Sequence, residues 1–290
     1  MIYFCADDYG LCPSVSERIE ECAKNGALNK VSCFPNFDTL PFERCFDDFK
    51  ISWGLHINLV EGNALSDPKS IPLLATQDGR FRHTFVGLLK LSLIKKSQLE
   101  QELYREMKAQ ILFYTTKFPK GTKIFLDSHQ HTHMIPLVFR VLMRVIEEQK
   151  LVVSYLRIPA EPIVPYLLTP SLYLTYSVVN LTKQWLLKLL WQRNKKQFYK
   201  YHIPTAYFMG ILFSGHMDEK RVRKVLPYYI RLAKKKNRDI EVLFHPGYPN
   251  PEDVKATGEK LSFRDFYLSP GRKVEYEALM NLKRFSERSV

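Results

Sequence analysis

The 290-residue sequence has no CxxC pair, no internal repeat, no low-complexity linker and no long uninterrupted apolar run. Its five cysteines, Cys5, Cys12, Cys22, Cys33 and Cys45, are odd in number and confined to the first 45 residues. A disulfide framework wants an even set in a small secreted domain, so reduced, partly buried thiols are expected. The opening MIYFCADDYG reaches acidic residues without a basic stretch followed by a long apolar one. No signal peptide is therefore expected, and the cytoplasm is the expected compartment. The stretch Tyr166 to Thr182 carries no charge and contains Pro170 and many Tyr, Thr and Ser residues. A spanning helix needs roughly 20 apolar residues, so this stretch is a poor one.

Hydrophobic residues make up 46% of the chain and charged residues 25%, enough for a sizeable core and against wholesale disorder. The length suits one α/β barrel, which routinely runs to about 250 residues. The formal net charge is +13, with basic runs at Lys95-Lys96, Lys195-Lys196 and Lys234 to Lys236. Such a field attracts polyanions, but runs of this kind are first of all solvated faces. No nucleic-acid partner is expected.

Short apolar runs alternate with amphipathic stretches. Strands are expected at Ile2 to Ala6, Val31 to Phe34, Ile51 to Val60, Ile124 to Asp127, Tyr155 to Ile158 and Ile240 to Phe244. Ser14 with Glu17, and Ser97 with Glu100, have capping-box spacing. Val15, Ile19, Cys22 and Ala23 share one helical face, and Gly26 can end that helix. Leu99, Leu103, Met107, Ile111 and Tyr114 form a second stripe. Helices should also follow Pro136, start at the Asp218 cap, and run through Val274 to Leu282. This alternation predicts a parallel sheet with crossover helices in a single domain over 1–290.

Four segments at expected strand ends carry chemistry, where parallel α/β folds build their sites. Asp7-Asp8 places two carboxylates after an apolar strand. That is costly without a cation, and it lets one bind metal while the other stays a base. His56 ends the GLHINL segment. In Asp127-Ser128-His129-Gln130-His131-Thr132-His133, an extended chain would turn three imidazoles and Asp127 to one side. Neutral imidazole is a common ligand of divalent ions, and histidines off the metal can orient ligands or contact substrate. His245 opens a turn before Pro246, which suits a general acid.

The segments ADDYG, GLHINL, DSHQHTHMIP and the late HPG, in that order, resemble the YdjC/ChbG-like carbohydrate deacetylases over nearly the whole chain. Ser32 with Asn36, Arg157 in YLRIP, and Arg272 with Glu275 add smaller matches. The resemblance implies a distorted (β/α) barrel and removal of N-acetyl groups from chitin-type or related sugars. It implies one divalent metal, Mg²⁺ by family habit, on Asp8, His56 and His129, with Asp7 as base. By ligand chemistry, one carboxylate with two imidazoles leans instead to Zn²⁺ or another transition ion, since Mg²⁺ prefers oxygen ligands. His245 is the first choice for the acid, with His131 and His133 as alternatives. His131, His133 and Arg157 are expected to contact substrate. Between about 162 and 201 the chain departs from a compact family member with an aromatic, basic insertion. It fits an extra helical layer, a lid, a homodimer contact, or a peripheral membrane contact through 166–200. Rival readings are a metal-dependent phosphoesterase on a similar barrel and a membrane or glycan binder without turnover.

Overall fold

Apolar runs too short for helices, set between amphipathic stretches, build one parallel sheet. The protein is described by a computed structural model over residues 1–37, 51–117, 123–256 and 264–287, so Cys45 lies outside the described residues. The strands are β1 (Ile2–Tyr9), β2 (Lys30–Cys33), β3 (Ser52–Ile57), β4 (Ile124–Ser128), β5 (Val153–Leu156), β6 (Tyr207–Met209) and β7 (Ile240–Phe244). Their order is β5-β4-β3-β2-β1-β7-β6, and every neighbouring pair is parallel. This is chain order around a circle with one seam, between β5 and β6. The result is a curled half-barrel wrapped by helices, the distorted single-domain α/β barrel expected. At the seam, Leu156 N donates to Pro204 O at 3.0 Å, and Tyr155 packs with Cys5, Phe125 and Ala206.

The helices are α1 (Pro13–Asn25), α2 (Phe85–Ile94), α3 (Lys96–Thr116), α4 (Pro136–Glu148), α5 (Val164–Leu167), α6 (Val178–Phe198), α7 (Glu219–Lys236), α8 (Pro251–Ala256), α9 (Arg264–Tyr267) and α10 (Gly271–Glu287). The expected faces of α1 and α3 are buried, Ala23 only partly, and Asp218 caps α7 by accepting from Arg221 N at 2.8 Å. Neither capping box forms. α1 begins at Pro13, whose fixed φ and missing N–H suit a first position, and the Ser14 hydroxyl instead accepts from Asn250 N. α2 runs almost directly into α3, whose cap is Lys95, so Ser97 is already inside the helix. The buried face of α3 also carries Glu102, Glu106 and Gln110, whose side chains accept backbone N–H groups of Leu73, Leu65 and Asn58. They fix the loop that follows β3.

The insertion is a helical layer: α5, a 3₁₀ turn at Pro170–Thr175, and α6. α6 lies along α4, with Asn194 Nδ2 donating to Met134 O at 2.8 Å and Phe198 against Phe139. Among the described residues, no helix is long and apolar enough to cross a membrane.

Candidate active site

In a regular strand, adjacent residues face opposite sides. β1 breaks that rule where it matters. It runs past the expected Ala6 to Tyr9, with its pairing to β2 shifted between Ala6 and Tyr9, and Asp8 has φ +71°. This bulge turns both Asp7 and Asp8 into the barrel, where each is about 98% buried or more. Aspartate is among the residues that tolerate positive φ best.

His56 on β3 is the register partner of Asp127 on β4, so the two side chains stand side by side. His56 Nδ1 lies 2.6 Å from Asp127 Oδ1, which also accepts from Ser32 Oγ at 2.5 Å. A proton on Nδ1 leaves the Nε2 lone pair pointing across the barrel mouth. There it meets His129 Nδ1 at 3.3 Å and Asp8 Oδ1 at 3.7 Å, and His129 Nδ1 is 3.3 Å from the same oxygen. His129 Nε2 lies 3.0 Å from the Tyr267 hydroxyl. Phe34 sets its ring edgewise to both imidazoles, at 4.9 and 5.0 Å. The expected trio of Asp8, His56 and His129 therefore converges.

The donor set fits a metal ion on three grounds. Asp8 Oδ1 is buried without a hydrogen-bond partner. The three ligand atoms lie within 4.8 Å of one another. Each imidazole is oriented through its other nitrogen, by Asp127 or Tyr267, as metal-bound histidines usually are. Burial alone would raise the Asp8 carboxyl, but Arg272 first and His129 next hold it well below the usual carboxylate range. Arg272 is wholly buried, donating to Asp8 Oδ2 and, at 2.7 Å, to Gly247 O. Burial would likewise push the His56 imidazole down, but Asp127 and then Asp7 lift it above the usual histidine value.

Arg157, expected at the substrate, sits wholly buried inside the barrel. It grips Asp7 with both terminal nitrogens, at 2.7 and 2.8 Å, and reaches Asp127 Oδ2 and Glu241 Oε1 at 2.8 Å. Lys30, stacked 3.4 Å over the Tyr155 ring, lies deeper. Counting these groups, four carboxylates (Asp7, Asp8, Asp127, Glu241) stand against three cations (Lys30, Arg157, Arg272). One negative charge is left beside two imidazoles, an electrostatic setting that favours a bound cation.

The three-imidazole fan does not form. β4 ends at Ser128, and the next residues make a tight 3₁₀ turn in which Gln130 and His131 have φ of +52° and +57°. Only His129 reaches the trio. His133 turns back, its Nδ1 2.6 Å from Ser128 Oγ and its Nε2 2.9 Å from Arg157 O, and burial lowers its pKa to about 4. His131 lies edgewise to Phe208, with Nδ1 unpartnered. His245 follows β7 at the same end of the sheet. Its backbone N–H donates to the buried Glu275, and its Nδ1 lies 3.4 Å from the same carboxylate. Sequence reading gave no role to Tyr267, in a segment without a periodic signal. It also passed over Glu241, though a lone carboxylate inside IEVLF was a visible sign.

A family model described as YdjC-like protein matches residues 1–285. The chain is similar to a protein named carbohydrate deacetylase from Xenopus laevis, 27% identical over 290 residues, covering 94% of this chain and 89% of the relative. A protein of the same name from Brevibacillus brevis (strain 47 / JCM 6285 / NBRC 100599) is 28% identical over 154 residues, 52% of this chain and 57% of that one. An Enterococcus faecalis V583 crystal structure named for cellobiose-phosphate cleavage superposes with a TM-score of 0.68 at 16% identity, covering 99% of this chain and 94% of that one. That likeness is one of fold.

Proposed function

The chain belongs to the YdjC-like family, and on that premise we propose that it is a metal-dependent carbohydrate deacetylase, hydrolysing the acetamide of an N-acetylated amino sugar. The observation that carries the reading is the convergence of Asp8, His56 and His129 with Asp7 as the adjoining carboxylate.

Asp8, His56 and His129 would hold one divalent ion. When bound, the ion supplies Lewis acidity toward the acetamide carbonyl and lowers the pKa of a neighbouring water. Asp7 takes the proton of the attacking water, and Arg157 fixes the orientation of that carboxylate through its two contacts. His245, steered by Glu275, donates a proton to the departing amine. His133 has both ring nitrogens engaged, so it braces the turn that carries His129. Two imidazoles with one carboxylate suit Zn²⁺ or another transition ion by donor chemistry, while the family resemblance implies Mg²⁺.

The phosphoesterase reading calls for two or three ions. The second trio of possible ligands, Asp7, His56 and Asp127, is already served by the Arg157 guanidinium, which stands where another cation would. The test is acetate release from a panel of N-acetylated sugars by metal-stripped protein, with Mg²⁺, Zn²⁺, Mn²⁺ or Co²⁺ restored singly. Asp7→Asn should keep the metal and lose about 10²–10⁴-fold in turnover. Loss of metal together with turnover would show the roles of Asp7 and Asp8 to be misassigned.

A further inference from the structure

From Pro162 to Met217 the chain has no aspartate or glutamate and six lysines and arginines. A folded surface normally mixes both signs, so 56 residues without a carboxylate form an unusually one-signed face. The same segment leaves its apolar side chains outside. Eleven of the 21 exposed large hydrophobic side chains among the described residues fall between Val164 and Tyr199.

α6 shows how the two properties combine. Its inner face, Asn180, Gln184, Leu187, Leu190, Asn194 and Phe198, is buried on the barrel at helical spacing. An ordinary surface helix would then be polar outside. Here Val178, Leu181, Trp185 and Leu189 repeat at three- and four-residue intervals on the outer face, with Trp185 62% exposed. Leu174, in the preceding turn, is fully exposed at 102%. Exposed Lys183 and Lys188 lie among these side chains, and beyond Leu189 the helix end is mainly basic, through Arg193, Lys195, Lys196 and Lys200. Alongside, an open cleft of about 880 Å³ between α4 and α6 is lined by Arg140, Lys150, Arg193, Lys196 and Lys200 against one carboxylate, Glu147.

We propose that the outer face of α5 and α6 docks on an anionic lipid surface, the aromatic and aliphatic side chains entering the interface and the lysines meeting the headgroups. The charge chooses this occupant. A second copy of the chain would bring the same one-signed face and repel it, whereas anionic headgroups complement it. The face also stays beside the active-site end of the sheet. Asn180 donates to the carbonyls of Leu212 and Ser214 and Gln184 to that of Glu161, all beyond the carboxyl ends of β5 and β6. Resting on the deacetylase reading, docking deepens it: the acetamido sugar would be one displayed at a lipid surface.

The test is flotation of the purified full chain, without substrate, with phosphatidylcholine vesicles and with vesicles containing phosphatidylglycerol. Binding is expected only to the latter, and it should fall as salt shortens the screening length. Lys195→Gln/Lys196→Gln should weaken partition about 30-fold, at roughly a factor of five per lysine. Trp185→Ser/Leu189→Ser should weaken it further, with an unchanged circular dichroism spectrum. No flotation with anionic vesicles, equal flotation of wild type and both variants, or a dimer broken by Trp185→Ser/Leu189→Ser would each overturn the proposal. Acetate release from a soluble sugar is read separately, so failed docking and failed deacetylation are distinguishable.

Discussion

Asp127→Asn is the substitution that separates orientation of the proposed metal site from its proposed ligands. Asp127 is wholly buried and is not one of the three proposed ligands. Its Oδ1 accepts from His56 Nδ1 and Ser32 Oγ, and its Oδ2 faces Arg157 at 2.8 Å. An asparagine must keep its oxygen toward Arg157, because an amide NH₂ cannot face a guanidinium. Its NH₂ then faces His56 and forces Nδ1 to accept. The His56 proton moves to Nε2, the atom that points at Asp8 and His129. Removing an orienting partner typically costs 10–100-fold in metal affinity. A wrong tautomer removes one of three ligands, so the upper end, about 100-fold, is expected. That corresponds to about 2.8 kcal/mol, at 1.4 kcal/mol per tenfold. Arg157 keeps Asp7 and Glu241, so stability should fall by only about 1–3 kcal/mol. Titration calorimetry of metal-stripped protein reads the first quantity and urea denaturation the second. Metal affinity within twofold of wild type in a folded Asp127→Asn protein would refute the orientation argument.

Tyr267→Phe removes the hydroxyl beside His129 Nε2 and should cost about tenfold in metal affinity by the same calorimetry, leaving the fold intact. Asp8 and Asp127 both have carboxyls held low in the folded protein, by Arg272 and by Arg157, against the opposing effect of burial. Their unfolded value is about 3.9, so their contribution is complete above that pH and lost as pH falls below it. Urea midpoints should therefore drop steeply below about pH 4 in metal-free protein, and less steeply in Asp127→Asn. Gly271→Ala would place a Cβ 1.9 Å from Gly215 O at the start of α10, and a loss on the order of 1–3 kcal/mol in denaturant stability is expected.

The convergence of Asp8, His56 and His129 was legible because each ends an apolar run, and parallel strands bring their carboxyl ends together whatever their separation along the chain. The alternation argument failed at His131 and His133 because period two holds only while the strand lasts. β4 stops at Ser128, and two residues of positive φ reverse the chain. The Ser14 and Ser97 capping boxes failed for a related reason: the spacing is shared by any Ser-x-x-Glu inside a helix, and Pro13 and Lys95 set the true starts. Arg157 in YLRIP was expected to contact substrate. Only the fold shows that three carboxylates from β1, β4 and β7 meet at its guanidinium. Burial of the α1 and α3 faces followed from helical period alone.

The single seam of the sheet divides the molecule into two regimes of tolerance to change. Asp7, Asp8, His56, Asp127 and His129 all belong to the continuous run β4-β3-β2-β1 and the turn after it. The insertion leaves the chain after β5 and returns before β6, the one place where neighbouring strands are not laddered. Its length and composition can drift without altering a strand register that holds a ligand. Grafting the 162–201 segment between barrels of this type would then exchange where the enzyme works while leaving its chemistry in place.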